Sequence, residues 1–213
     1  MSARVTLVDC GAGNLLSVAR AVRHLGAEAI VVETPAAVEA AERLILPGVG
    51  AFAMCMAGLA RNGLDDAVRL YAASGKPFLG ICVGMQMLFE GSDEFGAHAG
   101  LGLLPGWVRA IPSESGGRQR KIPHIGWNGL RPANGGGSWD DGLLVGVSPG
   151  EGVYFVHSFA AELADDSDRA AVCDYEGTQI TAVVQRDNLH GCQFHPEKSG
   201  PGGLHILRNF LAL

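Results

Sequence analysis

The sequence predicts an α/β fold: a mostly parallel central sheet flanked by helices, with additional antiparallel strands in the C-terminal half. Three observations predict it. Short β-branched runs alternate with segments of helical period through the first third of the chain. Pro77-Phe-Leu-Gly-Ile81 is apolar throughout, as a parallel strand covered on both faces must be. Beyond about residue 150 the pattern becomes strand-length runs separated by turn residues.

Taken in order, Arg4-Val-Thr-Leu-Val-Asp9 reads as the first strand and ends in Gly11-Ala12-Gly13-Asn14. Leu15, Val18, Val22 and Leu25 then recur at helical spacing until Gly26 stops them. Ala29-Ile-Val-Val32 is a second strand, Pro35 to Ala41 a short helix, and Arg43-Leu-Ile-Leu46 a third strand closed by Pro47-Gly48. The uncharged stretch Leu44 to Ala60 is shorter than the ~20 residues of a membrane span, and Pro47, Gly48, Gly50 and Gly58 interrupt it. It reads as buried strand, loop and helix. A helical pattern over 64–73 precedes the strand 77–81, and a helix opens at Cys82.

The middle of the chain is different. Ser113 to Arg120 and Asn134 to Gly142 are polar and glycine-rich, and read as exposed loops around Ile122-Pro-His-Ile-Gly-Trp-Asn128. Antiparallel strands are expected at 153–160, 170–175, 180–186 and 189–194, with turns at Glu176-Gly177 and Asp187-Asn188. A final helix over about 202–212 packs Leu204, Leu207 and Leu211 inward. No internal repeat or long linker divides residues 1–213, so one domain is expected.

Composition narrows the function. The 213 residues carry a net charge of −6, which argues against nucleic acid as a partner because phosphate binding needs a basic face. With 47% hydrophobic and 18% charged residues, the chain can bury a sizeable core. Cys10, Cys55, Cys82, Cys173 and Cys192 are odd in number and form no C-x-x-C pair, which points to a reducing, cytoplasmic location. The stretch from Met1 to Asp9 is too short for the apolar region of a signal peptide, so the mature chain is expected to start near Met1. No membrane association is expected.

Chemistry concentrates in three motifs. Gly80-Ile-Cys-Val-Gly84 sets a cysteine between glycines at a strand-to-helix junction, the cysteine version of a nucleophile elbow. The turn is so tight that side chains at the flanking positions would strike neighbouring backbone, and a helix N-terminus there favours thiolate. The other four cysteines lack this frame and read as core residues. His195-Pro196-Glu197 then places a histidine two residues before a carboxylate, so that an acid can hold a base. Pro47-Gly48-Val49-Gly50 can turn backbone N–H groups toward a ligand and, with the N–H of Val83, hold an oxyanion. Taken singly, H-P-E is as compatible with a helix-capping loop, and G-x-G with an ordinary turn. His24, His98, His190 and His205 show no ligand spacing and read as surface or satisfied core groups. No metal and no cofactor are expected.

Together, Gly80-Ile-Cys-Val-Gly-Met-Gln86, Pro47-Gly-Val-Gly50 and His195-Pro-Glu197 resemble the class I, triad-type glutamine amidotransferases, whose fold is flavodoxin-like. Asp9-Cys-Gly-Ala-Gly-Asn14, Ile122-Pro-His-Ile-Gly-Trp-Asn128, Tyr154-Phe-Val-His-Ser-Phe159 and Lys198-Ser199 narrow the resemblance to the branch that serves imidazole glycerol phosphate synthases. The resemblance implies Cys82 as nucleophile, His195 as acid/base and Glu197 as orienting group, with Val49, Gly50 and Val83 at the oxyanion. It also implies that Gly50, Gln86, Glu94 and Ser158 contact L-glutamine, and that the Val49 peptide rearranges on activation. Asn14, Trp127 and Lys198 would face a (β/α)₈-barrel synthase subunit. That subunit would use the ammonia to make imidazole glycerol phosphate and an aminoimidazole carboxamide ribotide in histidine biosynthesis. Cys10 and Phe159 stand where the family commonly has tyrosine. Two rivals stay open: an amidotransferase serving anthranilate, aminodeoxychorismate or pyridoxal phosphate synthesis, and a non-catalytic regulatory subunit of the same fold.

Overall fold

In the computed structural model, which describes residues 3–133, 135–136 and 138–213, strands β1 (Arg4–Val8), β2 (Glu28–Val32), β3 (Leu44–Gly48) and β4 (Phe78–Cys82) lie parallel. Helices α1 (Leu15–His24), α2 (Pro35–Glu39), α3 (Phe52–Arg61) and α4 (Leu64–Ala73) connect them. Every residue of β3 and β4 is buried, which is why neither shows alternation. On the core side α1 buries Val18, Ala19, Ala21 and Val22, while Leu15 and Leu25 are only half-buried at its ends. The uncharged stretch 44–60 is strand, loop and helix, and among the described residues no helix is long and apolar enough to cross a membrane.

After the single turn α5 (Val83–Gln86) the chain makes β5 (Phe89–Ser92), β6 (His98–Ala99) and β7 (Leu104–Ala110). The hairpin β8 (Glu114–Ser115) and β9 (Arg118–Gln119) follows, then β10 (His124–Gly129) and β11 (Arg131–Pro132). The last strands are β12 (Gly152–His157), β13 (Phe159–Leu163), β14 (Arg169–Tyr175), β15 (Thr178–Arg186) and β16 (Leu189–Cys192), before helix α6 (Gly200–Ala212). The main sheet runs β11-β14-β15-β16-β4-β3-β1-β2, a second runs β13-β7-β5-β6, and β10 pairs with β12.

Several expectations need correction. The segment 189–194 forms a strand only to Cys192, and it is antiparallel to β15 but parallel to β4, so it closes the parallel half of the sheet beside the elbow. The expected strand 153–160 is two strands, because the chain bends at Ser158 and passes from β10 to a new partner, β7. The second sheet, built mostly from 89–110, has no counterpart in the sequence reading. Ser113 to Arg120 is a hairpin, and Arg120 is buried, donating from Nη2 to the Glu176 carbonyl (3.0 Å) and Thr178 Oγ1 (2.6 Å). Within 134–142, Asn134 and Gly137 lie outside the described residues, as do Met1 and Ser2; Trp139 is half-buried and donates from Nε1 to the Ala170 carbonyl at 2.9 Å. Helix α6 starts at Gly200 and buries Gly203, Ile206, Leu207 and Phe210, leaving Leu204 and Leu211 at the margin. The buried stripe runs through 203, 206, 207 and 210, so Leu204 and Leu211 flank the inward face. His190 is buried with Nδ1 unpartnered, so it is a core histidine without the expected hydrogen bond.

Candidate active site

The centre of the sheet positions the site. β4 ends at Cys82, whose backbone (φ 56°, ψ −114°) is one that side chains other than glycine rarely adopt. Its neighbours explain how the turn closes. A Cβ on Gly84 would lie 1.8 Å from the Leu46 carbonyl oxygen, and one on Gly80 would lie 2.7 Å from the Gly84 carbonyl oxygen and the Met85 nitrogen. Gly48 of β3 is equally confined, with a Cβ there 2.8 Å from Gly84 N. The helix after Cys82 is one turn long, too short to carry much of a macrodipole, so the electrostatics of Cys82 are set chiefly by its side-chain neighbours.

Those neighbours come from the strand alongside. The parallel register sets Cys192 against Ile81, and the chain continuing past β16 brings His195 to the thiol. His195 lines the same cavity as Cys82, and its Nδ1 lies 2.9 Å from Glu197 Oε1. A carboxylate only accepts, so Nδ1 bears the proton. The side chains of His195 and Glu197 are 3% and 0% exposed. Burial alone pulls the imidazole down, but the hydrogen bonds and charges of Cys82 and Glu197 outweigh it and raise His195 from 6.5 to about 9.

One cavity of about 170 Å³ gathers most of the remaining expected residues: Val49, Gly50, Cys82, Val83, Gln86, Glu94, Ser158 and His195 all line it, with Val156, His157 and Phe159. Gly50 has φ 91° with open space where a Cβ would stand, so the loop that follows β3 is unobstructed on that side. Glu94 lines the cavity while its Oε2 accepts from Phe52 N at 2.6 Å, tying it to the start of α3. Glu197 stands behind His195, and its Oε2 is buried without a partner. Asn14, Trp127 and Lys198 are not at this cavity. Asn14 precedes α1, which packs on the turn carrying the exposed Lys198, while Trp127 is 60% exposed and meets Tyr154 edge-on.

Two residues at this site have no role in the sequence reading. Gln193, fully buried, donates from Nε2 toward Cys82 Sγ at 3.8 Å, and its Oε1 accepts from Gln86 Nε2 at 3.0 Å. A lone amide inside the apolar run Cys192-Gln193-Phe194 is the signal that could have found it, because a buried amide needs partners. Ser199 Oγ donates to the His195 carbonyl (2.6 Å) and accepts from Tyr154 N (2.9 Å), fixing the backbone that carries the imidazole. The remaining cysteines are buried. Burial pushes Cys173 up to about 12 and Cys192 well above its usual range, whereas the hydrogen bond with Cys55 lowers Cys10 to about 7.

A parallel sheet with a cysteine on a strained elbow, a histidine held by a glutamate beside it and a glycine loop across the cavity defines a class, and the family model for class-I glutamine amidotransferases matches residues 6–213. The chain belongs to that family. Within it, the chain is 48% identical over 210 residues to imidazole glycerol phosphate synthase subunit HisH 1 of Legionella pneumophila (strain Lens), covering 98% of this chain and 99% of that one. It is 47% identical to subunit HisH of Desulfitobacterium hafniense (strain DSM 10664 / DCB-2), covering 97% and 92%. Among solved structures, PurLQS from Thermotoga maritima superposes with a TM-score of 0.76 at 22% identity over 100% of this chain and 99% of that one, a likeness of fold alone.

Proposed function

We propose that this chain is the glutaminase subunit of an imidazole glycerol phosphate synthase, and that residues 1–213 act as one amidotransferase domain. The observation that carries the mechanism is His195, held by Glu197 at 2.9 Å and lining the same cavity as Cys82. Cys82 thiolate attacks the side-chain amide carbon of L-glutamine, and backbone N–H groups near Val49, Gly50 and Val83 stabilise the oxyanion. His195 gives its proton to the departing nitrogen, and ammonia leaves. Water, activated by His195, then hydrolyses the thioester to glutamate. Gln86, Glu94 and Ser158 line the place where the amino-acid end of glutamine would sit. The ammonia passes to a (β/α)₈-barrel subunit docked over Asn14, Trp127 and Lys198, which makes imidazole glycerol phosphate and the aminoimidazole carboxamide ribotide. A reducing, cytoplasmic setting suits a mechanism that needs Cys82 as a thiol.

The test is a glutaminase assay with and without the barrel subunit and its nucleotide ligand. The isolated chain is expected to be slow and the complex fast, because Gly48-Val49-Gly50 can hold the oxyanion loop in an unproductive state until the partner selects the productive one. Each ~1.4 kcal/mol of differential binding shifts that ratio about tenfold. Trp127→Ala and Lys198→Ala should reduce the activation without changing the isolated chain. Equal rates with and without partner would mean that the loop is already productive.

The triad partners should separate. His195→Ala is expected to lose at least as much kcat as Glu197→Ala, since the group that moves protons matters more than the one that orients it. The pH dependence follows from the sign of the His195 shift. Its protonated form is present below about 9 and lost above, so kcat should fall as pH rises through about 9. The stability it contributes is likewise full below 6.5 and lost as pH rises through about 9. In Glu197→Gln the kcat limb should move to lower pH; a limb that stays in place would show that another group produces it.

A further inference from the structure

Besides His195, the cavity wall includes a second histidine that the mechanism does not use, His157. His157 ends β12 and lies directly opposite His124 of β10 in the antiparallel ladder. Both are nearly fully buried, at 7% and 2% exposed. His157 Nδ1 is 2.8 Å from the Phe159 carbonyl oxygen, and its Nε2 is 3.0 Å from His124 Nδ1. These distances determine both tautomers. A carbonyl only accepts, so His157 Nδ1 carries the proton; Nε2 of the neutral ring is then an acceptor, and His124 Nδ1 must donate to it. His124 cannot turn away, because its ring is stacked between Tyr175 (centroids 3.9 Å) and Phe155 (4.8 Å). Burial holds both imidazoles down at about 4, which keeps them neutral beside the raised His195.

The acceptor at the end of this chain matters. The Phe159 carbonyl also receives Gln86 Nε2 at 3.0 Å, so both of its lone pairs are occupied, and the Ser158 carbonyl accepts from Ile111 N at 2.9 Å. Ser158 and Phe159 form the bend at which the chain leaves one sheet for the other, and both line the cavity. The β10 ladder ends at His157 and the β7 ladder takes over beside Ser158 and Phe159, so the bonds that His157 and Gln86 make to the Phe159 carbonyl fasten the bend on the side facing away from β7. We infer that His157, oriented by His124, is a positioning residue for glutamine: the stacked and hydrogen-bonded imidazole pair sets the Ser158–Phe159 wall of the cavity. This rests on the glutaminase reading above and adds to it the group that shapes the glutamine-binding wall. Buried histidines that merely satisfy one another in a core would stabilise the fold and leave substrate binding alone, so the two roles differ in what they move.

The test uses the full chain together with its synthase subunit, measuring KM and kcat for glutamine and the melting temperature. His157→Gln, which cannot place a donor at Nδ1, should raise KM about tenfold, the size expected for one lost buried hydrogen bond, with a smaller change in kcat. His157→Asn, whose Nδ2 stands near the old Nδ1, should recover most of that loss. His124→Phe keeps the ring stack, removes only the donor to His157, and should raise KM several-fold; it carries the test if His157→Gln does not fold. Unchanged KM in the folded fraction of His157→Gln and His124→Phe, even with a lowered melting temperature, would overturn the positioning role, as would an Asn variant no better than Gln. A wild-type complex that hydrolyses no glutamine at all is a different result: it removes the glutaminase reading, and this inference with it.

Discussion

Replacing Cys82 by alanine is expected to lower glutamine hydrolysis by at least about 10³-fold, since no other group at the cavity can form the thioester. The assembled complex should still make product from free ammonia, because ammonia enters after the step that Cys82 performs. This pairing of results separates lost chemistry from lost structure. Surviving glutamine-dependent activity would remove Cys82 from its assigned role. An electrophilic glutamine analogue should correspondingly add to Cys82 in the wild type. Mass mapping has one informative competitor: Cys10, which its hydrogen bond with Cys55 lowers to about 7 although it is only 3% exposed. Labelling of Cys10 in preference to Cys82 would mean that thiolate character alone, without the glutamine cavity, decides reactivity.

Gly84→Ala should have the largest effect on the fold. Its Cβ would sit 1.8 Å from the Leu46 carbonyl oxygen, a backbone atom that cannot swing aside as the end of a flexible side chain would. Either β3 separates from the elbow or the turn at Cys82 unwinds. The expected loss is about 4 kcal/mol, at the exceptional end of single substitutions. In a chain of this size that is a melting temperature lower by roughly 8–16 °C. Gly50→Ala is a useful contrast, since a Cβ there meets nothing within 4 Å and only the φ of 91° opposes it. A Gly84→Ala protein within about 1 kcal/mol of wild type would show that the elbow is not closed by this contact.

The parallel half of the sheet was legible because β3 and β4 are apolar on both faces, and the helix over 64–73 because its period is plain. The elbow was legible because its glycine requirement is local: Gly80, Cys82 and Gly84 constrain one another within a single turn. Features that depend on pairing between distant segments were not legible in this way. The sheet built from 89–110 was missed because its strands are short and interrupted, as at Gly91, where a Cβ would lie 2.4 Å from the Trp107 ring. The break at Ser158 was missed because 153–160 is rich in β-branched and aromatic residues and holds no glycine or proline, and only the exchange of β10 for β7 as partner divides it. The same holds at the site. His195 and Glu197 are neighbours in sequence, yet their meeting with Cys82 rests on β16 lying parallel to β4 across more than a hundred residues. The His124–His157 pair carries no local signature, and the lone amide of Gln193 signals a need for partners without naming them, because in each case the partner is brought near only by the fold. Short-range steric demands are written in adjacent residues; long-range contacts exist only once the sheets have formed.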